Sequence, residues 1–365
     1  MGGGTSPLEG MGLRMDLNFY RGKRVFVTGH TGFKGSWMCR ALTGAGAIVT
    51  GFSLDPPTEP NLFDLAGLRK AMTDIRGDVR DMDALKAAFD AAQPELVLHL
   101  AAQPIVRESY RDPRYTYETN VMGTVNLMEC ARNANAPVRS VLNVTTDKVY
   151  HNNEWCWGYR EDEPLDGYDP YSNSKSCSEL VTHSYVNSFF QERDIAVSTA
   201  RAGNVIGGGD FARDRVIPDC VRAVQAGRVI GVRNPHSTRP YQHALEPVMA
   251  YLMIAARQYQ DKSLAGWYNV GPEDGDCLTT GELVDLFCRK WGAGAKWENR
   301  GEPNAPHEAN FLKLDCAKLK TTFRWKPRWN IDEAMELICA WTRVYFSGGD
   351  IPAEMDREIE LYMEG

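Results

Sequence analysis

The chain has 365 residues, 43% apolar and 24% charged, with a net charge of −7; this is the balance of a soluble globular protein with room for a substantial core. An acidic surplus of that kind gives no support to nucleic acid or an anionic membrane as the main partner, and no apolar stretch nears the ~20 residues that span a bilayer. Nine cysteines without a C-x-x-C pair or a His-rich neighbour argue against a metal site or a disulfide framework and read as reduced thiols in the cytoplasm.

Residues 1–18, rich in Gly, read as a flexible tail. Lys23-Arg-Val-Phe-Val-Thr-Gly29 is a short apolar run ending in glycine, the pattern of a buried parallel strand. Gly29, Gly32 and Gly35 follow it as G-x-x-G-x-x-G, ahead of a helix-like segment from Ser36 to Ala45. At a strand-to-helix junction the first glycine allows a tight turn and the second brings backbone close to a pyrophosphate. The third lets helix and strand pack closely, and the helix N-terminus offers N–H groups to phosphate.

The second strand, Ile48 to Ser53, leads to Asp55, twenty residues past Gly35. An acid there accepts from an adenosine ribose and repels a 2′-phosphate, which favours NAD over NADP. Asp74-Ile-Arg-Gly-Asp78-Val reads as a third strand placing Asp78 near adenine. Glu95 to Ala102 is a fourth strand ending in two small residues. Arg111 to Ala134 is helical and contains Asn120, and Val138 to Thr145 is a fifth strand. Such alternation predicts an α/β fold, a doubly wound parallel (Rossmann) sheet with ligands at the carboxyl ends of its strands.

Asp169-Pro-Tyr-Ser-Asn-Ser-Lys175 opens a helix, with Asp169 as cap and Pro170 in the first turn. Tyr171 and Lys175, four apart, share one face, so the ammonium is expected to lower the phenol's pKa towards that of a useful base. Asp194 to Ala202 is a sixth strand. Beyond it the chain alternates between sheet and a smaller lobe: residues 19–204 and 241–271 form the NAD-binding domain, 205–240 and 272–345 an interleaved substrate-binding lobe, and 346–365 a C-terminal tail. Within the first, Glu246 to Tyr259 is a helix and Trp267 to Val270 a strand. Arg213, Arg215, Arg233 and Arg239 supply local positive charge, and the planar guanidinium suits phosphate.

These residues together resemble the extended short-chain dehydrogenase/reductase family and, within it, the CDP-glucose branch of the nucleotide-sugar 4,6-dehydratases. The stretches that carry the resemblance are Thr28-Gly-His-Thr-Gly-Phe-Lys-Gly-Ser-Trp37, Ala101-Ala-Gln-Pro104, Thr145-Thr-Asp-Lys-Val-Tyr150 and Gly158-Tyr-Arg-Glu161. Gly167-Tyr-Asp-Pro-Tyr-Ser-Asn-Ser-Lys175, Arg201-Ala-Gly-Asn-Val-Ile-Gly-Gly-Gly-Asp210, Arg239-Pro-Tyr-Gln-His243 and His307-Glu-Ala309 complete them. Matches run from about residue 19 to the Trp325–Trp329 region.

The resemblance implies oxidation of a sugar at C4, loss of water across C5–C6, and return of the hydride to C6. It implies Tyr171 as base at the 4-hydroxyl, Lys175 on the nicotinamide ribose and Thr146 on the 4-oxygen. Asp147 would be the acid at the 6-hydroxyl and Lys148 the base at C5. The dTDP-glucose and GDP-mannose enzymes carry Glu where this chain has Lys148, which points to CDP-glucose. NAD contacts are implied for Gly29, Thr31, Gly32, Phe33, Lys34, Gly35, Asp55, Asp78, Val79, Leu100, Ala101, Ala102, Asn120, Tyr171 and Lys175. Substrate contacts are implied for Gln103, Asn204, Arg215, Arg239 and His307. A cytoplasmic homodimer built on the helices that flank the sheet, serving deoxysugar synthesis for a surface polysaccharide such as lipopolysaccharide O-antigen, is also implied. Three rivals stay open: a dehydratase of another nucleotide hexose, a 4-epimerase, and a non-catalytic NAD-binding regulator.

Overall fold

In the computed structural model, residues 15–301 and 311–364 are described. The apolar run after Lys23 becomes β1 (Arg24–Thr28), buried from Val25 onward. Val25 and Val27 enter one core layer and Phe26 the other, the two-residue alternation of a strand covered on both faces. β1 pairs in parallel with β2 (Ile48–Ser53) on one side and β4 (Leu96–His99) on the other, Val25 lying opposite both Val49 and Leu96. β3 (Thr73–Arg76) closes one edge. β5 (Ser140–Val144), β6 (Ala196–Ala202) and the strand Trp267–Val270 extend the other into a seven-stranded sheet. The strand order reverses between β1 and β4, which opens a crevice at their carboxyl ends.

Helix α1 (Phe33–Gly44) and the helix Leu245–Gln260 cover one face through Trp37, Leu42 and Leu252. Met82–Ala92, Gly123–Asn133 and Pro170–Tyr185 lie on the other, where Phe89 and Leu127 pack on Phe26. The smaller lobe has its own core of Ile217, Ile230, Leu283, Phe287, Met335 and Ile338. Two short strand pairs brace it: Thr238–Pro240 with Cys277–Thr279, and Ile230–Val232 with Trp297–Asn299.

The expected boundaries shift in three places. Of the 1–18 tail, Met15 and Leu17 pack against the main core. Leu312, Leu314, Cys316, Leu319 and Phe323, assigned to the lobe, instead bury beside Tyr268 and cover the edge strand. Residues 346–365 are not a tail: Ile351–Glu364 is a helix whose Ile351, Met355, Ile359 and Tyr362 form one apolar stripe buried in the main core. Arg40 of α1 fastens it through Asp356, Nε to Oδ1 at 2.6 Å. Among the described residues no helix is long and apolar enough to cross a membrane.

Candidate active site

Asp169 accepts from Ser172 N at 3.0 Å and Pro170 takes the first turn, so the helix Pro170–Tyr185 starts where its cap and proline dictate. Tyr171 and Lys175 are both buried on its inner face, and Lys175 Nζ donates to Val144 O, the last residue of β5, at 3.1 Å. Past that strand, Thr146 caps a single turn, Asp147–Val149, and its hydroxyl donates to Asp147 Oδ1 at 2.9 Å. Thr146 lies near enough to the Tyr171 phenol to draw its pKa down.

Asp147 is fully buried. Its Oδ1 accepts from Lys148 Nζ at 2.8 Å, and Lys148 Nζ also reaches Asn204 Oδ1 at 3.2 Å. Asp147 Oδ2 is buried with no partner among the described residues. A methyl group at Gly203 would stand 3.1 Å from that oxygen and 2.6 Å from Pro240 Cγ, so glycine there leaves room for the carboxylate. Thr146, Lys148 and Tyr171 line a cavity of about 990 Å³ that also takes in Lys34, Asn204, Arg215 and Arg239.

Burial dominates the electrostatics. It pushes the Tyr171 phenol up to about 12, against the pull of the Thr146 side chain; the expected lowering by Lys175 does not prevail. Lys175 itself is brought down to about 8 by burial, opposed by the Glu179 carboxylate. Lys34 falls to about 7 through burial and repulsion from Lys175 and Arg215. This lysine, expected only against the cofactor, therefore belongs to the same electrostatic cluster as Asp147, Lys148 and Lys175.

The phosphate-binding turn is built as its glycines require. Gly29 has φ +76°, and a Cβ on it would lie 2.6 Å from Ala101 N; one on Gly35 would lie 2.2 Å from Gly29 O. Gly32 caps α1, with Phe33 and Lys34 in the first turn, and Thr31 Oγ1 donates to Leu54 O at 3.0 Å. Leu100, Ala101 and Ala102 follow β4 directly. Backbone close enough to exclude a methyl group, at a helix N-terminus, fits a dinucleotide pyrophosphate.

The other expected contact residues that are described have partners within the chain. Asp55 is 90% exposed, with Arg76 Nε 3.8 Å away. Asp78 lies past β3 with its carboxylate held by Arg80, N to Oδ1 at 2.9 Å and Nη2 to Oδ2 at 2.6 Å. Val79 is buried, its carbonyl accepting from Asn126 Nδ2 at 2.9 Å. Asn120 accepts from Gln103 N at 2.8 Å and donates to Gln103 O and Ser174 Oγ. Gln103 in turn donates to Thr116 Oγ1 and accepts from Ile105 N. The Asn120 side chain holds the Gln103 backbone and the Gln103 side chain is buried on other partners; both shape the turn after β4 and do not line the cavity. Arg215 pairs with Asp210 at 3.1 Å, and Arg239 is buried, donating to Thr238 O at 3.0 Å. His307 lies outside the described residues.

Residues 26–338 match the model of the GDP-mannose 4,6 dehydratase family. The chain is 48% identical over 356 residues to the CDP-glucose 4,6-dehydratase of Salmonella typhimurium, covering 96% of this chain and 98% of that protein. It is 29% identical over 332 residues to the dTDP-D-glucose 4,6-dehydratase of Homo sapiens, covering 89% and 91%. Among solved structures, a double mutant of dTDP-glucose 4,6-dehydratase from Streptomyces venezuelae, with NAD bound, superposes at a TM-score of 0.77; it is 22% identical, and 89% of this chain and 98% of that one are covered. A Thermus thermophilus UDP-glucose 4-epimerase with NAD gives a TM-score of 0.76 at 26% identity, covering 88% and 99%. Fold, near-complete family match and a relative almost half identical from end to end agree, and the chain belongs to the GDP-mannose 4,6 dehydratase family.

Proposed function

We propose that this chain converts CDP-glucose to CDP-4-keto-6-deoxyglucose, using NAD that is regenerated within each turnover. The observation that carries this reading is the Asp147–Lys148 contact of 2.8 Å at the cavity that Tyr171 lines, in a chain 48% identical to a CDP-glucose 4,6-dehydratase. The glycine turn at 29–35, Leu100 to Ala102 and Lys175 would hold NAD, which when bound accepts the C4 hydride and later returns it to C6.

Tyr171 takes the proton of the 4-hydroxyl, and Thr146, which lines the same cavity, holds the 4-oxygen. The new ketone acidifies the C5 hydrogen. Elimination then needs a neutral amine at C5 and a protonated acid at O6. One proton passed from Lys148 to Asp147 across their contact turns the ion pair into that amine and that acid. Lys148 takes the C5 proton, Asp147 gives its proton to the departing 6-hydroxyl, and water leaves. The proton ends on Lys148 and the charge on Asp147, so the pair is restored without outside help.

Arg239 and Arg215 at the cavity suit the diphosphate, with His307 as a further contact. Asp55 on the ribose and Asp78 near adenine remain part of the proposal. So does a cytoplasmic homodimer, supported by exposed Leu180, Phe189 and Met122 along the flanking helices. The product would feed deoxysugar synthesis for a surface polysaccharide. Incubating the purified protein with CDP-, dTDP-, UDP- and GDP-hexoses, with no added reductant, tests the reading: a keto sugar forms fastest from CDP-glucose. An epimer, or preference for another nucleotide, would overturn the reaction or the substrate respectively.

A further inference from the structure

Tyr171, Lys175 and Glu179 succeed one another at intervals of one turn, so all three project from the helix Pro170–Tyr185 towards β5 and β6. The first two serve the reaction proposed above; Glu179 does not reach the cavity. It is fully buried, as is its ion-pair partner Arg201 on β6, Nη2 to Oε2 at 2.9 Å. The same oxygen accepts from Thr199 Oγ1 at 2.7 Å, with His183 Nε2 3.4 Å away, and Oε1 accepts from Thr145 Oγ1.

Thr145 precedes Thr146 at the end of β5, so the carboxylate grips the peptide that carries the reacting side chains. On its far side, Arg201 Nη1 donates to Tyr150 Oη at 2.8 Å and Glu161 O at 3.1 Å. Tyr150 donates to Asn269 Oδ1 at 2.6 Å, and Asn269 Nδ2 to Tyr159 O at 2.7 Å. One buried pair thus joins the catalytic helix, the ends of two strands and the loop at Tyr159–Glu161. Stability is a weak reason for such a pair, because apolar replacements of buried ion pairs are often neutral or better.

We propose that Glu179 is a positioning residue of the reaction: it fixes the Thr145–Thr146 peptide and holds a carboxylate one helical turn from the Lys175 ammonium. The charged and titratable groups that act on Lys175 bear this out by their signs. Lys34 from α1 repels it, and His99 from β4 is held neutral by burial and by Lys175 itself. Glu179 is the carboxylate that opposes the loss of its proton.

This inference rests on the dehydratase reading, and the test separates the two. Two variants are compared, Glu179→Gln and the double Glu179→Gln with Arg201→Gln; the second removes both charges of the pair, so the fold has a route to survive. The wild type must first turn over CDP-glucose, which tests the reaction alone. The expected result is that the high-pH limb of kcat/KM moves down by about one pH unit in the variants. The same displacement is expected in the pH dependence of NAD binding, which needs no sugar. Glu179→Asp, which keeps the charge, is expected to keep the limb in place while kcat falls about tenfold through the displaced Thr145. A limb at the wild-type pH in either charge-free variant, by turnover or by NAD binding, would reduce Glu179 to a structural part and overturn the proposal.

Discussion

Lys148 Nζ sits 2.8 Å from Asp147 Oδ1, while Oδ2 of the same carboxylate is buried with no partner among the described residues. In the proposed mechanism the first oxygen exchanges a proton with the lysine. The two residues are adjacent in the chain, yet a single turn after β5 brings both to the site.

Lys148→Ala is therefore expected to separate oxidation from elimination. Formation of the keto-deoxy product should fall by about 10²-fold or more. Oxidation at C4 should persist, followed by the near-ultraviolet absorbance of reduced nicotinamide. A variant that makes product at the normal rate would remove Lys148 from the mechanism.

Gly203→Ala tests the space around the acid. Its methyl group would press on Asp147 Oδ2 and on Pro240, so turnover should drop about tenfold or more while NAD binding stays within about twofold. Gly29→Ala should do the reverse. With φ +76° and Ala101 N in the way, it should weaken NAD binding at least about tenfold, measured by equilibrium titration.

The pH profile follows from Lys175. Its ammonium must be charged to serve the ribose and the phenolate, and burial brings it down to about 8. Activity should decline as pH rises through that value, and Lys175→Arg should carry the decline upward, since guanidinium does not lose its proton in this range. Stability responds at the other end of the scale. Burial alone would raise Glu179, but Arg201, the nearby His183 and the bond from Thr145 hold it at about 2, below its ordinary 4.5. Its contribution is complete above 4.5 and is lost as pH falls from there towards 2. Thermal melts should show the melting temperature dropping across that window, less steeply in the double Glu179→Gln, Arg201→Gln variant.

Removing residues 349–365 should leave the chain aggregated or unfolded, because the helix Ile351–Glu364 completes the main core. The single change Met355→Ala, at a fully buried position, should cost about 2–5 kcal/mol by denaturant titration.

What could be read in advance was what lies close together along the chain. The glycine turn, the cap at Asp169 and the one-turn spacing of Tyr171 and Lys175 are local patterns, and the structure keeps them. The inward turn of Gln103 was hidden because its partners, Thr116 and Asn120, come from a later helix. The phenol of Tyr171 was misjudged because spacing shows a neighbouring charge but not the depth of burial that outweighs it. The last helix had a visible stripe at 351, 355, 359 and 362, masked by its acidic neighbours. Glu179 was equally visible, one turn past Lys175, but nothing local says that Arg201 of another strand will meet it.

The most direct measurement is a turnover of CDP-glucose in deuterated water, with the product examined by mass spectrometry and proton NMR. The proposed reaction predicts a product that has lost one water and carries one solvent deuterium at C5, with the original C4 hydrogen now on C6. A product of unchanged mass, or one without deuterium at C5, would contradict the role given to Asp147 and Lys148.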